Sequence, residues 1–133
     1  MTREQRLLEH AIRNVSAIGE REAKVKEGYG RLCHKFPVLI RTCGLCQTLA
    51  FMASKVDEKR PQYDILLGHA RNILQETEMI DGGASDLLEK VRNMGTEDYL
   101  HSTRLLLRAW VYHKRLAESV LKVCASDPDE DVE

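Results

Sequence analysis

Residues 36–59 read FPVLIRTCGLCQTLAFMASKVDEK. The apolar members Val38, Leu39, Ile40, Cys43, Leu45, Cys46, Leu49, Phe51 and Met52 cover most of a helix circumference instead of one stripe. A helix that is apolar nearly all round is one that other helices surround. The stretch is therefore predicted to be the buried centre of a helical bundle. Proline lacks an N–H and is harmless in a first turn, so Pro37 is read as opening this helix near Phe36, with an end near Lys59.

Working outward, the N-terminal side carries Leu8, Ile12, Val15 and Ile18 at helical spacing. Thr2 with Gln5 three residues on forms a capping box. That first helix is expected to run to about Cys33, with Gly28 and Gly30 weakening its last turns. On the other side, Pro61 opens a third helix with Tyr63, Leu66, Leu67, Ala70 and Ile73 inward. Asp81-Gly82-Gly83 signals a loop. Ser85 is predicted to cap a short helix that reaches Met94 and is stopped by Gly95. Thr96 can cap a last helix running to about Cys124, with Glu97 and Asp98 near its positive end. The sum is an all-α, single-domain antiparallel helical bundle of about five helices over residues 1–126, followed by an acidic disordered tail, 127–133.

Composition agrees. A chain of 133 residues has the size of one domain, and 43% hydrophobic residues suit a packed core. The longest nearly apolar run, Cys43–Ala53, is too short for a bilayer, which takes about 20 apolar residues. The opening MTREQRLLEH has no apolar run of the export-signal type. The expectation is a cytoplasmic chain with reduced thiols at its four cysteines, Cys33, Cys43, Cys46 and Cys124. The net charge of −1 hides a gradient: Asp127–Glu133 holds five acids, and without them 20 basic residues face 16 acidic ones.

Catalytic and metal motifs are sparse. Cys43-Gly44-Leu45-Cys46 has CxxC spacing, but a structural zinc site needs two more ligands at fitting spacing and none is evident. Thiols packed inside a helix are the better reading, so neither cofactor nor metal is expected. The five histidines, His10, His34, His69, His101 and His113, show no pairing, and His113 reads as a hydrogen-bonded core residue beside Trp110. No nucleophile elbow, HExxH or paired-carboxylate pattern appears, so no catalytic residues are assigned.

The basic residues say more. On the last helix Arg104, Arg108, Arg115 and Lys122 fall within an arc of roughly 40° at about 100° per residue. Tyr99, Thr103, Leu106, Trp110, His113, Ala117 and Val120 take the opposite, inner side. On the second helix Arg41, Lys55 and Lys59 share a face with Thr48 and Met52. Such faces suit a phosphate backbone, where each neutralised phosphate releases counterions. An ordinary solvated face is the plainer alternative, and a helical adaptor that binds only protein remains open beside an RNA-binding module.

The stretch Phe36–Phe51 also resembles the "P-x-x-I-R-x-x-G-L-x-Q-x-L-A-F" core of the small subunit of type III-B CRISPR effector complexes, the RAMP-module Cmr complex. Lys55 follows where that family tends to place a lysine. Glu97-Asp98-Tyr99-Leu100, Thr103-Arg104 and Trp110 are similar to the opening of the family's last long helix. The resemblance implies a non-catalytic subunit of a guide-RNA–protein assembly in antiviral defence. It would stack with copies of itself along the backbone and large subunits, close to guide RNA and target RNA, away from any membrane. On that view Arg41 and Lys55 lead as phosphate clamps, followed by Arg104, Arg108 and Arg115, with Lys59 and Lys122 beside them. Gly44 would allow a close helix crossing, and Leu45, Leu49, Phe51 and Trp110 would make core or subunit contacts.

Overall fold

The computed structural model describes residues 1–83 and 86–124. The acidic tail and the end of the expected domain therefore lie outside the described residues, as does Ser85. Six helices follow one another: α1 (Arg3–Ile18), α2 (Ala23–Cys43), α3 (Leu45–Ser54), α4 (Pro61–Glu76), α5 (Leu87–Arg92) and α6 (Thr96–Ser119). The architecture is all-α, with six helices where about five were expected.

The extra helix comes from two misplaced breaks. The capping box at Thr2 forms as read: Gln5 N–H donates to Thr2 Oγ1 at 3.2 Å and Thr2 N–H to Gln5 Oε1 at 2.7 Å. But α1 stops at Ile18, and α2 begins at Ala23 and runs straight through Pro37. Pro37 is buried within this helix and opens nothing. Its missing N–H leaves the Cys33 carbonyl without its usual partner four residues on. Burial of Pro37 with Phe36 and Ile40 outweighs that loss. Gly28 and Gly30 are not a frayed end either. A Cβ on Gly28 would lie 2.8 Å from Gln62, and one on Gly30 would lie 2.6 Å from Val123. The two glycines let α4 and the segment after α6 come close to the α2 backbone.

The second break is at Gly44, which was expected inside a helix, at a close crossing. Its backbone has φ +89° and ψ 162°, a conformation essentially reserved for glycine. A Cβ there would meet only Tyr99 Oη, at 3.7 Å. Gly44 is thus required by its backbone angles, not by a crossing helix. It ends α2 through its N–H to Ile40 O at 2.9 Å, and its carbonyl starts α3 by accepting from Thr48 N–H at 3.1 Å. Tyr99 of α6 reaches this corner, its hydroxyl accepting from Cys46 N–H at 3.0 Å.

Smaller differences follow from capping. Asp86 caps α5, accepting from Glu89 N–H at 2.8 Å. Gly95, not Thr96, precedes the first turn of α6. Pro61 opens α4 as expected, with Tyr63, Leu66, Ala70 and Ile73 buried and Leu67 half-buried.

The core centres on α2. Tyr29, Leu32, Cys33 and Phe36 of α2 pack with Leu45, Leu49 and Met52 of α3, Tyr63, Leu66 and Ile73 of α4, and Leu106 and Trp110 of α6. Helices α2 and α6 run antiparallel: Tyr99 meets Gly44, Trp110 meets Phe36, and Val123 meets Gly30 and His34. On α6 the inner row is Ser102, Leu105, Leu106, Ala109, Trp110, His113 and Ala117. Val120, expected inside, is exposed because α6 has ended before it.

Histidines inside this core are matched to polar partners. His113 Nδ1 lies 2.8 Å from Ala109 O, and its Nε2 lies 3.2 Å from Asn14 Nδ2. The neutral tautomer with hydrogen on Nδ1 donates to the carbonyl and accepts from the amide. Tyr29 Oη is 2.6 Å from His69 Nδ1. Burial holds both His69 and His113 down at about 4, against the usual 6.5.

These contacts make the stability of the bundle testable at two points. Gly44→Ala must adopt a left-handed backbone that alanine resists, so it is expected to cost about 1–3 kcal/mol, measured by denaturant unfolding. As pH falls from 6.5 to 4, the unfolded chain takes up protons at His69 and His113 that the folded chain refuses. Stability therefore declines across that window, by about 1.4 kcal/mol per pH unit for each histidine at its steepest. His113→Gln removes one of these protons, and its melting temperature should fall less steeply with acid than that of the wild type.

Candidate nucleic-acid interface

The inward rotation of Trp110 and His113 turns the other side of α6 to solvent, and Arg104, Arg108 and Arg115 are exposed there. Arg104 and Arg108 are one turn apart, a like-charge pair that slightly disfavours the helix. Arg3, from the first turn of α1, joins them: Arg3, His101, Arg104 and Arg108 surround a shallow cleft of about 150 Å³ with Leu105 at its base. No carboxylate of the described residues lines this cleft. Near the row, Glu4 accepts a hydrogen bond from the Tyr112 hydroxyl at 3.2 Å. Tyr112 titrates above its ordinary value through partial burial and the adjacent Glu4 carboxylate.

Arg104, Arg108 and Arg115 make no ion pair with a carboxylate of the described residues, and the same holds for Arg3, Arg41, Lys59 and Lys122. The described ion pairs sit elsewhere, between His10 or Arg13 and Glu76, Arg31 and Glu27, His34 and Glu118, and Lys90 and Asp81. The α6 row is an exposed surface of positive charge with no ion-pairing carboxylate among the described residues.

Lys122 does not belong to this row. It follows the end of α6 with φ +62° and borders a separate cleft with Lys26, Glu27 and Arg31. The expected second face also divides. The break at Gly44 turns the chain between Arg41, in the last turn of α2, and Lys55, the C-cap of α3. A fourteen-residue helical offset therefore no longer aligns them. Thr48 and Met52, expected on the same face, are buried. Lys59 lies in the turn before α4, where its N–H donates to Asp57 Oδ1 at 3.0 Å.

The structure instead brings Lys55 to Phe51. Lys55 Nζ is 5.6 Å and Lys35 Nζ 5.1 Å from the Phe51 ring centroid, both within cation–π range. Phe51 is half-buried, whereas Leu45, Leu49 and Trp110 are fully buried in the core. Arg3, His101 and Lys35 were not legible as site residues. Each is brought in from another helix or lies off the arc that helical spacing defines.

The cysteines differ from expectation too. Cys43 is exposed and Cys46 half-buried, so the pair does not pack inside a helix, because Gly44 separates the two. Among the described residues, no group of three or more His, Cys, Asp or Glu side chains is placed to hold a metal ion.

Residues 3–120 match the family model described as CRISPR-associated protein (Cas_Cmr5). The chain belongs to the Cas_Cmr5 family. Its fold is similar to the crystal structure of a CRISPR-associated Cmr5 family protein from Thermus thermophilus, at 28% identity and a TM-score of 0.71. That match covers 90% of this chain and 97% of the other. No curated protein matches the chain by sequence. Family membership makes it a small subunit of the type III-B Cmr complex, associated with other subunits of that complex in CRISPR defence. No helix among the described residues is long and apolar enough to cross a membrane.

Thiol chemistry tests the corner at Gly44 directly. Cys33 is fully buried, and burial pushes its thiol well above its ordinary value. In the native chain Cys43 should react with a small maleimide within minutes, and Cys33 only on unfolding. Peptide mass spectrometry after timed labelling checks this.

Proposed function

We propose that the chain is a non-catalytic subunit that contacts RNA backbone in the effector complex through the exposed row Arg104, Arg108 and Arg115, completed by Arg3. The observation that carries this reading is the cleft where three guanidiniums and His101 meet without a lining carboxylate among the described residues. Uncompensated cations on a rigid helix neutralise phosphates without reading bases. Sequence would then be read by guide–target pairing. Arg41, Lys55, Lys59 and Lys122 act as secondary contacts on other faces.

The non-catalytic reading has support in how the titratable groups are used. His113 is held by Asn14 and Ala109, His69 by Tyr29, His34 by Val123 O, and His10 by Glu76. Four of the five histidines are thus committed to fixing helices, and His101 belongs to the basic cleft. In the assembly the chain sits beside the backbone and large subunits and next to copies of itself, with the α6 row toward guide and target RNA.

The test is a salt titration of single-stranded RNA binding. Log affinity should fall linearly with log salt, with a slope of about −0.7 for each phosphate contacted. Arg104→Glu with Arg108→Glu should flatten the slope by about 1.4 and weaken target-RNA capture by the assembled complex at least tenfold, with an unchanged melting temperature. Equal capture and slope would leave the chain as an adaptor that binds only protein.

A further inference from the structure

Helices α3 and α4 and the start of α5 leave a groove of about 310 Å³ between them. Its walls are Leu49, Leu67, Leu87 and Leu88, and Gly68 lies on the α4 side. Nothing among the described residues explains Gly68. It sits in the middle of α4, and glycine there is less favourable than alanine. Its φ is not positive. A Cβ built on it meets nothing within 4 Å, whereas those on Gly28 and Gly30 would strike Gln62 and Val123. The two α2 glycines admit parts of this chain. Gly68 keeps open a space that no part of the described chain fills.

The charges at the groove have one sign left over. Asp64 and Asp86 both border it, and neither joins an ion pair among the described residues. Asp86 uses one carboxylate oxygen to cap α5. The one base at the groove, Arg71, is engaged: its Nη2 donates to Gly83 O at 2.7 Å. An apolar floor beside two carboxylates and one guanidinium, a net negative rim, fits an apolar side chain with a cation beside it.

We propose that this groove docks a polypeptide segment of another Cmr subunit, which lays one large apolar side chain over Gly68 and sets a Lys or Arg against Asp64 and Asp86. The volume is at the lower end of ligand-sized pockets, enough for a single anchoring side chain of the kind that dominates interface energetics. The groove belongs to α3, α4 and α5, and the basic row to α1 and α6. Protein docking and RNA contact therefore occupy different helices, and this inference does not depend on RNA binding.

The test is reconstitution of the complex from purified subunits with guide RNA, titrating the labelled full-length chain. Gly68→Leu fills the groove and is expected to raise the apparent Kd for incorporation at least tenfold, while the isolated variant melts no lower than wild type. Gly68→Ala should raise the melting temperature. Asp64→Asn with Asp86→Asn, which keeps a good cap at position 86, should weaken incorporation by about threefold and reduce its salt dependence. The proposal is overturned if Gly68→Leu incorporates with wild-type affinity. Should that variant fail to fold, the double Asn variant decides, and unchanged incorporation overturns the proposal. A concentration-dependent dimer of the isolated chain that Gly68→Leu abolishes would also overturn it, by assigning the groove to a second copy.

Discussion

The contact between Trp110 and its neighbours sets the orientation of everything outside the core. The indole stacks on His113 with ring centroids 4.1 Å apart and planes 7° from parallel, and Phe36 of α2 meets it edge-on at 4.8 Å. Aromatic contacts of this kind add to area burial and fix geometry. His113 in turn holds Asn14 of α1. One cluster thereby locks the rotation of α6 against both α1 and α2. A helix with its inner face fixed has its outer face fixed as well. Arg104, Arg108 and Arg115 lie roughly 150–190° round from that cluster at about 100° per residue. The cationic row is a consequence of core packing, and only its chemistry was free to be chosen.

The same cluster explains why the core tolerates polar groups. Asn14 and His113 are buried, and each would be costly alone. Together with the Ala109 carbonyl they satisfy one another in a single neutral protonation state. A neutral network fixes one helix register, because a shift of α1 along α6 would leave an amide and an imidazole unpaired. The dependence on acid is inherent to this device: a positive imidazole has no place in it.

Much of the fold was legible because helical periodicity is local. The capping box at Thr2, the start of α4 at Pro61, the inner face of α4 and the burial of Trp110 were all read from spacing or from one residue's chemistry. The failures have a common cause. Pro37 and Gly44 are each ambiguous until packing is known. Proline inside a helix is disfavoured by local rules, yet Pro37 is buried where α2 packs against its neighbours, and that burial outweighs a missing hydrogen bond. Glycine in an apolar run looks helical, yet positive φ at Gly44 is what lets the chain turn from α2 into α3. The candidate site divides along the same line. Arg104, Arg108 and Arg115 stay together on one exposed face because they lie on one continuous helix. Arg41, Lys55, Lys59 and Lys122 scatter because a break or a helix end intervenes. Arg3 and His101 could not be found, since their meeting depends on how α1 lies against α6.

The glycines inside helices, with Gly44 between α2 and α3, fall into two kinds. Gly28 and Gly30 are explained by what touches them, and Gly44 by its backbone angles. Each is a local cost offset within the chain. Gly68 has neither explanation, and it faces a groove whose acids also lack ion-pair partners among the described residues. In a subunit of a larger assembly, a local cost with no internal compensation marks a place where the compensation comes from outside. The open cations of α6 obey the same logic. Arg104 and Arg108 repel each other on one helix, and Arg3 adds a third positive charge, so the isolated chain carries a repulsion that RNA phosphates would relieve under the proposed function. Two unrelated inconsistencies, one steric and one electrostatic, thus point outward from different helices of the same bundle, and neither need interfere with the other.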